Sequence, residues 1–192
     1  SVLLGALDMS PLEANQLYLP IANNGYVQQG HAITHIISAN SEMLWQKNHA
    51  YTTGMSANTS FLVNDALARV TQQGTARSLS WRLSSKKTAG KTGTSNDLRD
   101  SWYVGYDNKH LVTTWIGKDN NTSTGLTGSS GALVLFADFM KRQGVVNRVN
   151  KKPEGVFVTL FERDTGNAVT ADCQNTIMYP AVRKNTQTVL GC

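Results

Sequence analysis

The run Ala89-Gly90-Lys91-Thr92-Gly93-Thr94-Ser95-Asn96 gathers one lysine, three hydroxyls and two glycines into eight residues. Two chemistries could use that set. Gly90-Lys91-Thr92 could close a loop whose backbone amides cradle a phosphate, but such a loop reads Gly-x-x-x-x-Gly-Lys-Ser/Thr and runs straight into a helix. Position 85 is serine, Lys86-Lys87 follow it, and Thr92 to Asn96 is a poor helix start, so the cradle is rejected. On a strand the same residues make sense. A glycine at 93 lets a peptide backbone approach a sheet edge closely. Lys91 supplies positive charge, and the hydroxyls of Thr92 and Thr94 supply donors for a carboxylate. Alternation divides Lys91 and Gly93 from Thr92 and Thr94, and at a twisted edge both sets can border a groove.

Other chemistry-bearing residues carry less. Ser84-Ser85-Lys86-Lys87 has the letters of a Ser-x-x-Lys nucleophile motif, and Ser38-Ala39-Asn40 and Ser56-Ala57-Asn58 have those of Ser-x-Asn. Ser84 stands in a polar stretch just before Lys91, the second sits at a hairpin tip, and the third at a helix N-cap, where Ser and Asn ordinarily serve structure. His31 and His35 have a helical metal spacing, but Ala-Ile-Thr between them and Ile-Ile after them favour a strand, which separates the two rings. No metal and no cofactor are expected. Trp102 and Trp115 are expected in a sheet core.

The elements that must position Lys91 to Thr94 follow from local signals. Ser10-Pro11-Leu12-Glu13 combines an N-cap, a proline at the first helical position and a capping-box glutamate. Leu12, Leu17 and Ile21 offer an apolar face up to Asn23-Asn24-Gly25, with a kink or early stop expected at Pro20. Residues 31–46 read as a small hairpin. A second helix is predicted from about Asn58 to Gln73, with Leu62, Ala66 and Val70 on one face, and residues 75–87 read as irregular. From Thr88 the pattern is a three-strand antiparallel meander: the Lys91 segment, Trp102 to Tyr106, a turn at Asp107-Asn108-Lys109, and Leu111 to Ile116. A third helix opens at Ser129 or Ser130, carries Leu133, Phe136, Phe139 and Met140 inward, and stops at Gly144. Lys151 to Gly155 is a linker signal, followed by a strand, a turn at Asp164-Thr165-Gly166 and a short second strand. The fold class is α+β, an antiparallel sheet covered by helices over 1–143, with a boundary near residue 144 and a β-rich appendage over 144–192.

The bounds agree. A chain of 192 residues with 40% hydrophobic and 16% charged residues can bury a core. Net charge is +5, but the basic residues are scattered, so no nucleic-acid site is expected. No run approaches a membrane span, and the first residues lack a signal-peptide pattern. The two cysteines, Cys173 and Cys192, read as a disulfide of an oxidising compartment, with unpaired thiols as the alternative. A closed loop of about 20 residues would stabilise the tail by roughly 3 kcal/mol.

Gly90 to Asn96, Arg99-Asp100-Ser101-Trp102-Tyr103-Val104-Gly105-Tyr106 and Trp115-Ile116-Gly117-Lys118-Asp119 together resemble the end of the transpeptidase domain of class A penicillin-binding proteins, which are bifunctional cell-wall synthases. Met9 to Gln16, Ala22-Asn23-Asn24-Gly25 and Val70 to Arg77 fit that family's order. Gly128-Ser129-Ser130-Gly131-Ala132-Leu133 and the paired-cysteine tail look like its 1b-type subgroup.

The resemblance implies acyl transfer from D-Ala-D-Ala stem peptides through a serine ester, and binding of β-lactams that imitate them. Lys91 becomes the catalytic residue of the third motif, Thr92, Gly93 and Thr94 bind substrate, and the Thr94 N–H forms half of an oxyanion hole. The nucleophile and the Ser-x-Asn loop precede this chain, so the chain alone is expected to be inactive and to be a C-terminal piece of a larger protein. An upstream glycosyltransferase and membrane anchor would place the parent on the periplasmic side of a bacterial inner membrane. In that setting the Asn58-Thr59-Ser60 and Asn120-Asn121-Thr122 glycosylation patterns are incidental. The piece is expected to pair with its missing half or with copies of itself. Alternatives are another penicillin-recognising serine hydrolase or β-lactamase, and a non-catalytic interaction fragment using residues 144–192.

Overall fold

A computed structural model describes residues 7–28, 30–48 and 50–183, and the backbone of 188–189. Helix α1 (Pro11–Ala22) opens on the expected capping box. Ser10 Oγ accepts the Glu13 N–H at 3.3 Å, and the Ser10 N–H donates to Glu13 Oε2 at 2.7 Å. Pro20 does not stop it; the helix continues to Ala22. So close to the end, proline removes one helical bond, that to Gln16, whose residue is exposed and can be satisfied by water. The anticipated apolar face is not the packed one, since Leu12 and Leu17 are 66% and 58% exposed. Ala14 is buried instead, and Asn15 Nδ2 donates to Leu111 O at 3.3 Å and Thr113 Oγ1 at 3.1 Å, tying the helix to the meander.

Two small ribbons follow. Strand β1 (Tyr26–Val27) pairs with β4 (Thr52–Thr53), and β2 (His35–Ile37) forms the expected hairpin with β3 (Met43–Gln46), with an irregular register between Ile36 and Ile37. Helix α2 (Ala57–Gln73) is capped by Ser56, whose Oγ accepts the Thr59 N–H at 3.1 Å, and ends at Gly74. Its fully buried positions are polar, Ser60, Asn64 and Thr71; of the expected apolar face Val70 packs half-buried against the core, Leu62 is half-buried and Ala66 is exposed. The reason is the surface it meets. Asn64 donates to the Ile21 carbonyl at the end of α1 (2.7 Å) and accepts the Tyr106 hydroxyl (2.5 Å), while Thr71 Oγ1 donates to Thr88 O at 2.9 Å.

The stretch read as irregular contains a one-turn helix, α3 (Leu79–Arg82). Leu79 and Leu83, four apart and 1% and 3% exposed, drive one face of that turn into the core. The meander is as expected: β5 (Ala89–Thr94), β6 (Ser101–Tyr106) and β7 (Leu111–Ile116), with Lys91 opposite Val104 and Gly93 opposite Trp102. Asp107 closes its second turn. The buried carboxylate accepts the N–H groups of Lys109 and His110, both at 2.7 Å, and that of Val146 at 2.8 Å. Burial raises its pKa, but these amides and the His110 ring outweigh burial and hold it below the usual carboxylate range.

Helix α4 (Ala132–Gln143) begins after Gly131, not at Ser129 or Ser130, and ends at Gly144, whose φ of +80° suits glycine. Leu133, Phe136, Ala137 and Met140 are fully buried. Phe139 is 42% exposed, contrary to expectation, because it shares the outer face of the helix with Leu135. Phe136 meets Tyr103 edge-on at 4.8 Å, and these two rings centre a core shared with Ala76, Leu79 and Leu83. Trp102 and Trp115 lie outside that core. They form a tilted pair at 6.1 Å, with Trp115 39% exposed.

The last sheet has the order β10 (Thr176–Val182), β8 (Val156–Glu162), β9 (Ala168–Val169), β11 (Thr188–Val189). β8, its turn and β9 match the sequence pattern; β10 adds a seven-residue antiparallel pairing to β8, carrying Pro180 at the sheet edge where no neighbour needs its missing N–H. The sheet leans on α2. Arg69, paired with Asp65 at 2.6 Å, donates to Met178 O at 3.1 Å and stacks over Tyr179 at 4.2 Å. The connection after Gly144 is itself attached to the meander, through Asn108 N–H to Val146 O (3.1 Å) and Arg148 N–H to Lys87 O (3.0 Å).

Candidate functional site

β5 is an edge strand of the described meander, bonded to β6 on one side. It brings together Lys91, Thr92, Gly93 and Thr94 as one continuous surface. Lys91 is exposed, and its Nζ donates to the Thr92 carbonyl at 2.8 Å, which holds the ammonium against its own strand. Gly93 faces Trp102, and a Cβ there would stand 3.0 Å from the tryptophan Cβ. Glycine therefore keeps this face of the strand thin beside the Trp102–Trp115 pair.

The two threonines are held from the opposite face. Thr92 Oγ1 lies 2.7 Å from Thr75 Oγ1, in the turn that follows α2. Thr94 Oγ1 accepts the Gly128 N–H at 2.9 Å. A hydroxyl that accepts one bond still has its own proton to donate. Both threonines are thus oriented by partners yet keep a donor for a carboxylate, Thr92 doing so when Thr75 supplies the proton they share. Gly128 matters for a steric reason as well. A Cβ on it would sit 2.5 Å from Gly93 O and 2.7 Å from Trp102 O, so this loop passes flush over β5 and β6.

The β5–β6 turn is braced at several points. Ser95 Oγ donates to Asp100 Oδ2 and accepts the Asp100 N–H, both at 2.8 Å, and the other carboxylate oxygen accepts Trp115 Nε1–H at 2.9 Å. Leu98 O accepts the Thr124 amide and hydroxyl at 2.8 Å and 2.7 Å, joining the turn to the loop that carries Gly128. Ser101, buried at the start of β6, donates to Thr127 O and accepts the Ala132 N–H, both at 2.8 Å, so α4 and the loop are anchored opposite Thr94. Beneath them Tyr103 is fully buried, and burial pushes its phenol well above the ordinary range.

The other serines lie elsewhere in structural roles. Ser84 and Ser85 form a turn with φ of +51° and +60°, not a helix start. Ser38 Oγ accepts the Glu42 N–H at 3.1 Å across the β2–β3 turn, and Ser56 caps α2. His35 begins β2, with Nδ1 2.9 Å from Thr34 Oγ1. Cys173 is buried, and its anticipated partner Cys192 lies outside the described residues. Sequence reasoning did not single out Thr75, Arg77 or Arg82 as site neighbours. Thr75 and Arg77 belong to the family-like run Val70 to Arg77, but nothing local marks a residue that meets β5 only through the fold.

Comparison with known proteins agrees with this architecture. Residues 2–141 match the family model described as the penicillin binding protein transpeptidase domain. Penicillin-binding protein 1B of Vibrio cholerae is 33% identical over 180 residues, which is 94% of this chain and 23% of that protein. Penicillin-binding protein 1B of Buchnera aphidicola from Acyrthosiphon pisum is 36% identical over 156 residues, 81% of this chain and 20% of that protein. The chain thus spans about a fifth of these relatives' length. In structure, penicillin-binding protein 1A from Haemophilus influenzae superposes with a TM-score of 0.83 over 95% of this chain and 33% of that one, at 18% identity, a likeness of fold. With the family model covering the helices, the meander and nearly all of α4, the chain belongs to the penicillin-binding protein transpeptidase domain family.

Proposed function

We propose that β5 is one wall of a serine D,D-transpeptidase site that cross-links peptidoglycan, completed in the intact protein by segments outside this chain. The observation that carries the reading is the edge strand Lys91 to Thr94, with two hydroxyls each oriented by a partner and a glycine between them. Thr92 and Thr94 receive the terminal carboxylate of a D-Ala-D-Ala stem peptide, or that of a β-lactam. Lys91 lowers the cost of placing that negative charge and favours proton movement between nucleophile and leaving group. Gly93 lets the substrate backbone lie along the strand as an added β-strand. The Thr94 N–H is one donor to the oxyanion that forms when a serine hydroxyl attacks the scissile carbonyl. That serine forms an ester as D-Ala leaves, and the amino group of a neighbouring peptide then displaces the serine to make the cross-link.

The intact enzyme is read as a bifunctional synthase, with a glycosyltransferase and a membrane anchor, working on the periplasmic side of a bacterial inner membrane. Residues 1–143 are the transpeptidase portion, and 144–192 form an appendage held by Arg69 and closed by a Cys173–Cys192 disulfide. Intact mass under non-reducing and reducing conditions checks the disulfide, with a gain of two hydrogens expected on reduction.

The deciding experiment is the intact mass of this chain and of the full-length protein after benzylpenicillin. A penicilloyl adduct is expected on the full-length protein alone, and Thr94→Val in that protein should slow acylation by about 10- to 100-fold through loss of a charge-assisted hydrogen bond. An adduct on the isolated chain would overturn the division of the site. An unchanged rate in Thr94→Val would overturn the role of β5.

A further inference from the structure

The connection between β5 and β6 starts directly after Thr94, and it is strained. Its turn closes through the Arg99 N–H to Asn96 O at 3.4 Å, with Asp97 and Leu98 at φ of +58° and +55°. Two consecutive left-handed residues ordinarily call for Asn, Asp or Gly, and a leucine in the second place keeps that shape only where its surroundings impose it. Two groups do so. The Leu98 carbonyl is held by Thr124, and the half-buried Asp100 carboxylate has a donor on each oxygen: the Ser95 hydroxyl from just past β5 at 2.8 Å and Trp115 Nε1–H from β7 at 2.9 Å. Trp115 is itself confined, by the Trp102 ring at 6.1 Å and by Gly117, where a Cβ would collide with the indole. Trp102 in turn lies opposite Gly93. The contacts therefore form a circuit from Gly93 through Trp102, Trp115 and Asp100 to Ser95, and the residue it encloses is Thr94.

We infer that Asp100 is a positioning residue for the acyl transfer: through Ser95 and Trp115 it fixes the last residue of β5, and so aims the Thr94 N–H. A hydroxyl can rotate to find a carboxylate, but a backbone N–H points only where its peptide plane points. That plane belongs to the Gly93–Thr94 peptide, and glycine supplies little torsional stiffness of its own. The stiffness comes from the neighbours. Gly93 lies flat against Trp102, and Ser95 is bound to Asp100 by its N–H to Asp100 O (3.1 Å), by its hydroxyl, and by the Asp100 N–H to Ser95 Oγ (2.8 Å). The Asp100 side chain joins this pair to Trp115, so β5 and β7 are tied across β6 at the end where Thr94 stands. The effect on rate rests on the role proposed above for Thr94; the circuit rests on the contacts alone.

The test follows benzylpenicillin acylation of the full-length protein over a range of concentrations, which separates the acylation rate constant from the affinity of the preceding complex. Asp100→Ala should lower the rate constant about 10- to 100-fold, the scale of a displaced oxyanion donor. Affinity should change by less than about threefold, because the hydroxyls of Thr92 and Thr94 still meet the carboxylate. Asp100→Asn, whose amide accepts from Trp115 and donates to Ser95 Oγ, should recover a rate within about threefold of wild type. Trp115→Phe keeps the ring pair and removes the N–H; it should slow acylation severalfold, and less than additively when combined with Asp100→Ala. Hydrogen exchange of residues 95–101 and 118–126 in the same proteins, without β-lactam, should be faster in Asp100→Ala and unchanged in Asp100→Asn. Undisturbed exchange in Asp100→Ala would overturn the circuit. Faster exchange with an unchanged acylation rate, or equal slowing by the Ala and Asn variants, would overturn the positioning role. Acylation that is slow in Thr94→Val but normal in Asp100→Ala would sink this inference and keep the reading of β5, whereas a wild type that takes no penicilloyl group would sink that reading and leave exchange to decide the circuit.

Discussion

The β5–β6–β7 meander and the β2–β3 hairpin are both antiparallel ribbons rich in β-branched and aromatic residues, and they meet opposite fates. In the meander Tyr103 and Tyr106 are fully buried, with α4 on one face and α1 and α2 on the other. In the hairpin Ile36, Ile37, Met43, Leu44 and Trp45 are between 43% and 63% exposed. Pairing of strands is common to both; cover is not. A two-stranded ribbon without cover is marginal by itself, so the meander carries stability and can hold a strand such as β5 in place. The candidate site residues, Lys91 to Thr94, stand on the well-supported ribbon, at its open edge.

Four measurements by urea unfolding of the chain can break or sharpen this contrast, in order of expected effect. Phe136→Ala removes the ring that covers Tyr103 and should cost about 3–5 kcal/mol through lost burial and the cavity left behind. A cost below about 1 kcal/mol would mean that α4 is not what stabilises the meander. Asn64→Ala leaves the Tyr106 hydroxyl without its acceptor and the Ile21 carbonyl with only the longer bond from Ser60 Oγ, and should cost about 2–3 kcal/mol.

Asp107→Asn tests the turn between β6 and β7, with an expected loss of about 1–2 kcal/mol near neutral pH. Its folded pKa is depressed, so the stabilisation is fully present above the ordinary carboxylate value of about 3.9 and is lost as pH falls through the lower folded value. The gap between wild type and Asn variant should therefore shrink as pH falls below about 4. A gap that widens on acidification would contradict the depressed pKa. The smallest effect belongs to the hairpin: Trp45→Ala should change stability by no more than about 0.5 kcal/mol. A large loss there would show that the hairpin is covered in solution.

Local chemistry was legible where a few residues decide it. The capping box at Ser10 and Glu13, the Ser56 cap, the Gly74 and Gly144 stops and the three meander strands all follow from φ preferences, hydrogen-bonding side chains and alternation within short windows. The misreadings concern faces. Phe139 has the spacing of an inward residue yet lies outward, and α2 buries Asn64 in place of an apolar stripe because Tyr106 and Ile21 present polar groups to it. Helical periodicity cannot say which of two adjacent faces meets a partner, nor that the partner is polar.

The candidate site divides along the same line. By itself the sequence determined the strand Lys91 to Thr94, its chemistry and its kinship, because charge, hydroxyl and glycine sit side by side in the chain. The tertiary structure alone decided that Thr75, 17 positions before Thr92, orients that hydroxyl, and that Gly128, 34 positions after Thr94, closes over the strand. It also set Arg77 and Arg82 in one groove with Ser129 and Ser130. Those contacts exist because α3 and α4 pack on the same face of the meander, burying Leu79, Leu83, Leu133 and Phe136 together, and that packing is a property of the whole core.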